Sequence, residues 1–323
     1  MTPVDAVLIG RNEGQRLVAA LRSVQGQARR VVYVDSGSDD GSVDAARLAG
    51  AEVVLLDTSV PFTAARARNA GFARLEELGD TAPYVQFIDG DCQLVAGWIP
   101  QGAAHLDSHP QVAMVTGWRS ETQRDASVYN QLCDWEWHRP AGEIQACGGD
   151  MMVRSEVFRD LGGFDPTVIA AEDDEFCTRM RKAGWRLERL PEDMTLHDAA
   201  MTRFGQWWQR AVRTGHGFAQ VGHLHPDYFL TERSRVLVYG LILPLLTLLS
   251  LVALPLLILL PLTAYGYNFV RTRRGLLLDG VPAAEATPHA ALLTLSKLPN
   301  MIGMAKFHWR RLRGRQMRII EYK

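Results

Sequence analysis

Two aspartates one residue apart follow a mostly apolar run in the first third of the chain. Asp89-Gly90-Asp91 comes directly after the stretch from Val85 to Ile88. Two carboxylates with a glycine between them, which lets other groups approach the backbone closely, form a hard-oxygen site for Mg²⁺ or Mn²⁺. Such a cation can bridge a diphosphate. The pair occurs by chance in many proteins, but its position after an apolar strand makes the metal site a specific prediction.

Two earlier apolar runs also end in polar residues. VDAVLIG is followed by Arg11-Asn12-Glu13, which is equally typical of a helix cap. RVVYVD ends at Asp35 and continues into Ser36-Gly37-Ser38-Asp39-Asp40. This turn is rich in hydrogen-bond acceptors, so it suits a base or ribose, but it could also be a plain Asx-rich turn.

These strand ends must be brought together by the fold. Up to about residue 226 short apolar runs alternate with amphipathic helical patterns, as in QRLVAALRSV and ARARNAGFARLEEL. That alternation predicts an α/β domain with a mostly parallel, Rossmann-like central sheet. Ligands of such sheets bind at the carboxyl ends of the strands, where the three polar turns fall.

The order of motifs resembles that of family 2 glycosyltransferases with the GT-A fold. VLIGRNEG, VDSGSDDGS, ARARN, FIDGD, GGDMMVRSEVFRDLGGFD and AEDDEFCTRM follow one another in the family's order over about residues 4 to 215. The resemblance implies that Asp35 contacts the nucleotide base, that Arg68 and Asn69 lie over the base or ribose, and that Asp89 meets the ribose. Asp91 would bind the divalent metal, and His197 matches the later histidine that completes the metal and diphosphate site. A histidine near a strand end is as often structural.

An acidic cluster, Glu172-Asp173-Asp174-Glu175, matches the family's ED motif and is followed by Arg179. Acids at a helix start are also stabilised by the helix dipole without any catalysis. Inverting sugar transfer needs a carboxylate that takes the proton from the acceptor hydroxyl, and crowded acids raise one another's pKa. Asp173 is therefore predicted to be the base, with Glu172 beside it in the catalytic group.

Donor binding is predicted to use further polar residues. Asp150, in Gly148-Gly149-Asp150, would meet the donor sugar or the acceptor, although a turn role is equally plausible. Where processive relatives carry QxxRW, this chain reads QWWQR, which argues against processive polymerisation. Positive groups could clamp the leaving diphosphate, or form the basic face of a solvated helix. The predicted donor-binding set is Asn12, Glu13, Asp35, Ser36, Arg68, Asn69, Asp89, Asp150, Arg210 and Arg213.

The composition is that of a folded protein, with 47% hydrophobic and 22% charged residues among 323, which excludes disordered and fibrous classes. Four widely spaced cysteines without a CxxC pair indicate free thiols. The N-terminus has no signal-peptide pattern, so the front of the chain is expected in the cytoplasm.

A long apolar stretch predicts a membrane segment. From Val236 to Val270, 35 consecutive residues include no Asp, Glu, Lys or Arg, and 14 are Leu. One helix of that length would measure about 52 Å, more than a hydrocarbon core of roughly 30 Å. Pro255 lies near its middle and arginines flank both ends, so a helical hairpin that returns to the cytoplasm is favoured over one tilted span or a re-entrant loop.

The tail after it is strongly basic. From Arg271 onward 11 Lys or Arg face 3 Asp or Glu, a balance of +8, against −9 before it. The apolar segment from Ala290 to Trp309, followed by five arginines, predicts an interfacial helix against anionic lipid, and nucleic acid is the rejected alternative. The predicted domains are 1–226 (GT-A), 227–275 (transmembrane or re-entrant hairpin) and 276–323 (basic cytoplasmic tail).

Together these features predict an inverting transferase that moves a single sugar from a nucleoside-diphosphate sugar, with UDP expected, to a polyprenyl-linked saccharide or other glycan acceptor. It would sit at the cytoplasmic (inner) membrane, with its catalytic domain facing the cytoplasm, and serve polysaccharide or cell-envelope assembly. The alternatives are a polyprenyl-phosphate monosaccharide synthase and a non-catalytic, membrane-tethered scaffold that binds nucleotide sugars.

Overall fold

The computed structural model describes residues 2–252 and 255–321. The chain divides into two compact units, Met1–Gln123 with Glu136–Ala199 and Arg124–Trp135 with Ala200–Lys323. The first is built around a β-sheet and is called the sheet unit. The second is helical and is called the helical unit.

The sheet unit contains nine strands. They are β1 (Val4–Gly10), β2 (Val31–Asp35), β3 (Glu52–Leu55), β4 (Tyr84–Asp89), β5 (Cys92–Leu94), β6 (Val112–Glu121), β7 (Gly142–Glu143), β8 (Met151–Arg154) and β9 (Arg186–His197). Their order across the sheet is β3-β2-β1-β4-β8-β6-β9-β5, and β7 also pairs with β9.

Helices connect and cover these strands. They are α1 (Gln15–Val24), α2 (Ser42–Leu48), α3 (Ala64–Glu77), α4 (Trp98–Ser108), α5 (Val128–Trp137), which begins in the helical unit and ends in the sheet unit, α6 (Ser155–Asp160) and α7 (Glu172–Lys182). Strand β1 shows why both faces are covered. Ala6 and Leu8 belong to one buried core cluster, whereas Val7 and Ile9 belong to the other. Successive side chains of a strand point to opposite faces, so β1 lies between two apolar layers.

The pairing of the strands places the polar turns at one edge. Strands β3, β2, β1 and β4 are parallel neighbours, with Gly10 opposite Asp35 and Ile9 opposite Asp89. Beyond β4 the sheet is mixed, because β8 runs antiparallel to both β4 and β6, whereas β6 and β9 are parallel. The predicted α/β fold is confirmed, and the carboxyl ends of β1, β2 and β4 meet as expected. The four cysteines are buried and form no disulfide.

The helical unit is held by close helix packing. Its main helices are α8 (Phe204–Leu224), α9 (Leu230–Leu237), α10 (Leu243–Val252), α11 (Leu259–Leu278), α12 (Ala283–Leu295) and α13 (Lys297–Leu312). Helix α13 crosses α8 at two glycines. A Cβ on Gly215 would lie 2.0 Å from the Asn300 carbonyl oxygen, and one on Gly303 would lie 2.0 Å from that of Val212. Only glycine permits this approach, so the first half of α13 packs closely against α8.

One helix among the described residues is long and apolar enough to cross a membrane. It runs from Leu230 to Leu251 through a π-helical stretch, Val238–Ile242, with a mean hydropathy of 1.8. Core helices of soluble proteins pass the same test of length and composition. The predicted turn of the hairpin includes residues 253–254, which lie outside the described part. The Tyr265 hydroxyl of α11 donates to the Tyr239 carbonyl, so the two predicted arms touch.

The basic tail forms two helices where one was expected. α12 ends at Leu295 and α13 begins at Lys297, so the apolar segment from Ala290 to Trp309 is divided at Ser296. Pro299 lies in the first turn of α13, where backbone N–H groups have no partner within the helix, so proline is tolerated there. The predicted domain boundaries at residues 226 and 275 stay predictions. Helix α8, which lies before the first of these boundaries, packs with α13 in the helical unit.

Candidate functional site

The second polar turn is organised by Asp35, the last residue of β2. The Tyr33 hydroxyl donates to Asp35 Oδ1 at 3.0 Å, and the backbone N–H groups of Gly37 and Ser38 donate to Oδ2 at 2.9 and 2.8 Å. The Ser36 backbone N–H donates to the Gly10 carbonyl. Asp35 thus fixes the loop in which both it and Ser36 are buried.

The first polar turn is tied to the second. Asn12 has a left-handed backbone, with φ of 57°, and its side-chain oxygen accepts from the Asp39 N–H at 2.9 Å. Its own N–H donates to Ser38 Oγ at 2.9 Å, and the next residue, Glu13, pairs with Arg16 at 2.8 Å. Asn12 therefore links two of the loops that were predicted to hold the donor. The donor-binding roles of Asn12, Glu13, Asp35 and Ser36 stay predictions.

Arg68 joins two of the acidic motifs. It lies on α3 and is only 2% exposed, with Nη2 2.7 Å from Asp89 Oδ1 and Nη1 2.7 Å from Glu172 Oε1. Burial alone would raise the pKa of Asp89, but the charges of Arg68 and Arg119 outweigh burial and lower it. The DGD turn and the start of α7 are thus held together by one buried guanidinium.

A second arginine, Arg119 on β6, serves the opposite side of the cluster. Its Nη2 lies 2.6 Å from Asp150 Oδ2 and 3.9 Å from Asp89 Oδ2, and its guanidinium lies over the Trp137 ring at 5.4 Å. Asp150 is 1% exposed and also accepts from the Asp89 N–H and from Thr195 Oγ1, both at 3.0 Å. Both carboxylate oxygens of Asp150 are therefore engaged by protein groups.

The glycines before Asp150 make room for Arg68. A Cβ on Gly149 would lie 1.9 Å from Arg68 Nη2, so no other residue fits there without moving the arginine. A Cβ on Gly148 would make ordinary contact, at 3.5 Å, with Arg119. The sequence Gly148-Gly149-Asp150 thus has a steric explanation at its second position.

Asp91 and His197 form the best-suited pair for a divalent cation. Asp91 Oδ2 lies 3.2 Å from His197 Nε2, and the ring of Trp137 meets the His197 ring edge to face at 4.6 Å. His197 Nδ1 is buried and has no hydrogen-bond partner among the described residues. One carboxylate oxygen and one imidazole nitrogen are donors that Mg²⁺ and Mn²⁺ accept. The neighbouring Cys92 is less suited, because burial raises the pKa of its thiol.

Asp173 stands on the first turn of α7, next to Glu172. It is half-buried, and its Oδ1 accepts from the Asp174 backbone N–H at 3.0 Å. Burial and the adjacent charges of Glu172 and Asp174 raise the pKa of Asp173 well above its usual value, although Arg68 opposes them. A carboxylate of this kind suits proton abstraction near neutral pH.

Several predicted or neighbouring residues are engaged in structural contacts. Both amide atoms of Asn69 bond the Phe164 backbone, at 2.7 and 2.9 Å, so its donor-binding role stays a prediction without a free amide to support it. Glu175 pairs with Arg179 at 2.8 Å, and Arg179 donates to the carbonyls of Leu161 and Gly163. The helix dipole and this pairing explain part of the acidic run.

Arg210 and Arg213 lie on α8 in the helical unit. Their predicted role toward the leaving diphosphate stays a prediction. The cluster in the sheet unit brings together Asp89, Asp91, Asp150, Glu172, Arg68 and His197, with Asp173 beside Glu172.

Sequence reasoning missed Arg119 and Thr195. Arg119 directly follows the mostly apolar stretch VAMVTGW, and a charge next to such a stretch is a signal that could have pointed to it. Trp137 contacts both Arg119 and His197, which places it at the cluster.

Family models match most of the chain. The model of glycosyl transferase family 2 matches residues 5–159, and that of glycosyl transferase family group 2 matches residues 84–295. A relative from Mycobacterium tuberculosis (strain ATCC 25618 / H37Rv), a pre-mycofactocin glycosyltransferase, is 27% identical over 239 residues, 69% of this chain. The alignment covers 48% of that protein, so the chain spans about half of its length. Glycosyltransferase AglE of Haloferax volcanii is 24% identical over 68% of this chain and 73% of its own.

The fold also resembles a solved structure. The mannosyltransferase PcManGT from Pyrobaculum calidifontis, described in complex with GDP-Man and Mn²⁺, superposes with a TM-score of 0.59 at 20% identity. The superposition covers 96% of this chain and 88% of that one. This likeness supports the GT-A type of fold inferred from the sequence. Because a family model matches about two thirds of this chain, the chain belongs to the family 2 glycosyltransferases.

Proposed function

We propose that the chain transfers a single sugar from a nucleoside-diphosphate sugar to a lipid-linked or polysaccharide acceptor, with inversion at the anomeric carbon. The observation that carries this proposal is the pattern of arginine pairing. Arg68 and Arg119 pair with Asp89, Glu172 and Asp150, whereas Asp91 faces His197 and Asp173 has no arginine within salt-bridge distance among the described residues.

This pattern assigns separate tasks to the acids. Asp91 and His197 would hold Mg²⁺ or Mn²⁺, and the ion would supply positive charge for the donor's diphosphate. Among the relatives of this fold, PcManGT is described with GDP-Man and Mn²⁺. Asp89 and Asp150 are held in place by protein donors, so they would contact the ribose or the sugar from fixed positions.

Asp173 is the proposed general base. It would accept the proton of the acceptor hydroxyl as the hydroxyl oxygen attacks the anomeric carbon and the diphosphate leaves. Its raised pKa keeps it basic enough for that step, and Glu172, fixed by Arg68, holds the start of α7 in place. General-base catalysis of this type contributes about 10²–10⁴ in rate.

The acceptor is proposed to be presented at a lipid surface. The helix from Leu230 to Leu251 exposes many leucines, among them Leu245, Leu248 and Leu251, each more than half exposed. Soluble domains rarely expose so much apolar surface, and where they do, it usually contacts a membrane or another protein. The cytoplasmic membrane, with the sheet unit on the cytoplasmic side, is the proposed location, and a polyprenyl-linked saccharide is the proposed acceptor.

The donor site is tested by calorimetry of the detergent-solubilised chain with UDP-, GDP- and dTDP-sugars. Each titration is run with Mn²⁺, with Mg²⁺ and with EDTA. The proposal predicts that one donor class binds with either metal and that EDTA reduces its affinity at least tenfold. A folded chain that binds a donor but transfers no sugar would favour the scaffold alternative, and one that binds no donor would contradict the proposal. Transfer to a polyprenyl phosphate alone, with no use of a lipid-linked saccharide, would favour the monosaccharide synthase.

A further inference from the structure

The cluster offers two places where a cation could bind, and only one of them is proposed to be used. The ligand atoms of Asp91, Cys92 and His197 lie within 4.8 Å of one another, and so do those of Asp89, Cys92 and Asp150. The second group has two carboxylates, so by charge alone it would attract a divalent ion more strongly than the first.

Arg119 changes that balance. Its Nη2 lies 2.6 Å from Asp150 Oδ2 and 3.9 Å from Asp89 Oδ2, so one positive charge sits against both carboxylates of the second group. Arg68 takes the other oxygen of Asp89 at 2.7 Å. The two arginines thus place positive charge against Asp89 and Asp150 before any ion arrives, although Arg68 is shared with Glu172.

The position of Arg119 is fixed by its surroundings. The side chain is 14% exposed and its guanidinium lies over the Trp137 ring. Trp137 contacts His197 on its other side. The same aromatic ring thus supports both the arginine that covers one group and the histidine that belongs to the other.

We propose that Arg119 is a positioning residue that keeps Asp89 and Asp150 out of metal coordination and thereby confines the divalent cation to Asp91 and His197. Without it, the carboxylates of Asp89 and Asp150 would lie close to each other and to the thiol of Cys92 with only Arg68, which also pairs with Glu172, to balance them. A cation would then bind there in addition to, or instead of, the site at Asp91. The inference rests on the proposed metal site, but it concerns which protein atoms the ion reaches.

The test is Mn²⁺ binding to the full chain without donor, followed by electron paramagnetic resonance of the free ion and by calorimetry. We expect one Mn²⁺ per chain in the wild type and none in Asp91→Asn. Arg119→Met should bind a second equivalent, and the double variant Arg119→Met with Asp91→Asn should still bind one. Adding Asp150→Asn to Arg119→Met should remove the extra equivalent.

Two further variants test whether the positive charge at position 119 is what matters. Arg119→Lys keeps the positive charge and should bind one Mn²⁺, as in the wild type. Arg186→Met is the matched control, because Arg186 pairs with Glu143 and Glu188 at the edge of the same sheet and lies outside both groups. It should also leave the stoichiometry at one. If circular dichroism shows that Arg119→Met is unfolded, Arg119→Gln takes its place with the same expected result.

Two outcomes would contradict separate claims. One Mn²⁺ in Arg119→Met that is lost on adding Asp91→Asn would overturn the role of Arg119 and leave the metal site intact. No Mn²⁺ in the folded wild type, together with no metal-dependent donor binding, would instead contradict the proposed metal site, and the role of Arg119 with it.

Discussion

Two sets of arginines, one in each unit of the molecule, lie in different surroundings. In the sheet unit, Arg68 and Arg119 are largely buried and each faces two carboxylates. In the helical unit, a basic segment at the end of α13 consists of Arg311, Arg313, Arg315 and Arg318, which are exposed and have no carboxylate partner among the described residues. The buried arginines neutralise charge inside the protein, whereas the exposed arginines remain accessible to charges outside the chain.

The surroundings of the two sets explain the difference. Arg68 is enclosed by Asp89, Glu172 and the Phe164 ring, so its desolvation is compensated within the protein. Near the basic segment, Trp309 is 55% exposed and Leu312 is 81% exposed, and Arg313 lies over the Trp309 ring. A mixture of arginines, tryptophan and leucine at a surface suits a lipid interface.

The largest effect is expected at the acid that has no arginine. Asp173→Asn should lower single-turnover transfer by about a thousandfold, because the amide cannot accept the acceptor's proton. Donor binding by calorimetry should stay within about threefold of the wild type, since Asp173 is not expected to touch the diphosphate. Asp44→Asn, at an exposed aspartate on α2, is the control and should leave both quantities unchanged. Wild-type turnover in Asp173→Asn would refute the base assignment.

The buried pairing should dominate stability. Arg68→Met leaves Glu172 buried without its partner and removes one partner of Asp89, so we expect a loss of about 3–5 kcal/mol in the free energy of unfolding. Denaturant unfolding followed by circular dichroism measures it. The matched control on the same helix is Arg74→Met, which removes surface pairs with Glu52 and Glu77 and should cost about 0–1 kcal/mol. Equal losses in the two variants would erase the contrast between buried and exposed arginines.

The exposed arginines should act on lipid binding alone. Replacing Arg311 and Arg313 with Gln should weaken binding to vesicles that contain anionic lipid by about fivefold per residue, since each basic group near such a surface contributes roughly 1 kcal/mol. Vesicle flotation at low and high salt measures this loss. Binding to neutral vesicles should not change. Unaltered binding to anionic vesicles would place the basic segment against another partner.

The smallest effect concerns pH. Asp173 must be ionised to accept a proton, and its pKa is raised, so transfer should fall as pH decreases through a value above the ordinary carboxyl range of about 4. Asp174→Asn removes one of the neighbouring negative charges that raise the pKa of Asp173. The acidic limb of the single-turnover profile should therefore move to lower pH by less than about one unit. A limb that moves to higher pH would show that Asp174 does not act on Asp173 through its charge.

The sequence predicted the strand ends because they carry local signals. Apolar runs that end in polar turns specify β1, β2 and β4, and their parallel register brings Gly10, Asp35 and Asp89 to one edge. Membership in the family and the α/β fold are confirmed. The pairing that distinguishes the acids depends on residues far apart in the chain, such as Arg119 with Asp150 and Thr195 with Asp150. The spacing of residues along the chain cannot indicate such contacts, because β6, β8 and β9 are brought together only in the mixed part of the sheet.

The contacts also changed the interpretation of single residues. The resemblance to the family places Asn69 beside the donor, and this role stays a prediction. Its side-chain amide bonds the Phe164 backbone, 95 positions away, and nothing in the sequence indicates that contact. The division of the tail at Ser296 does have a local signal, because Pro299 is suited to the first turn of a helix.

The most direct test of the central claim compares two aspartates of the cluster in one assay. Mn²⁺-dependent donor binding is measured by calorimetry for the wild type, Asp91→Asn and Asp150→Asn, each checked for folding by circular dichroism. The account predicts that Asp91→Asn loses the metal-dependent part of donor affinity, whereas Asp150→Asn keeps Mn²⁺ binding because Arg119 already holds that carboxylate. Metal-dependent binding that survives in Asp91→Asn and is lost in Asp150→Asn would contradict it.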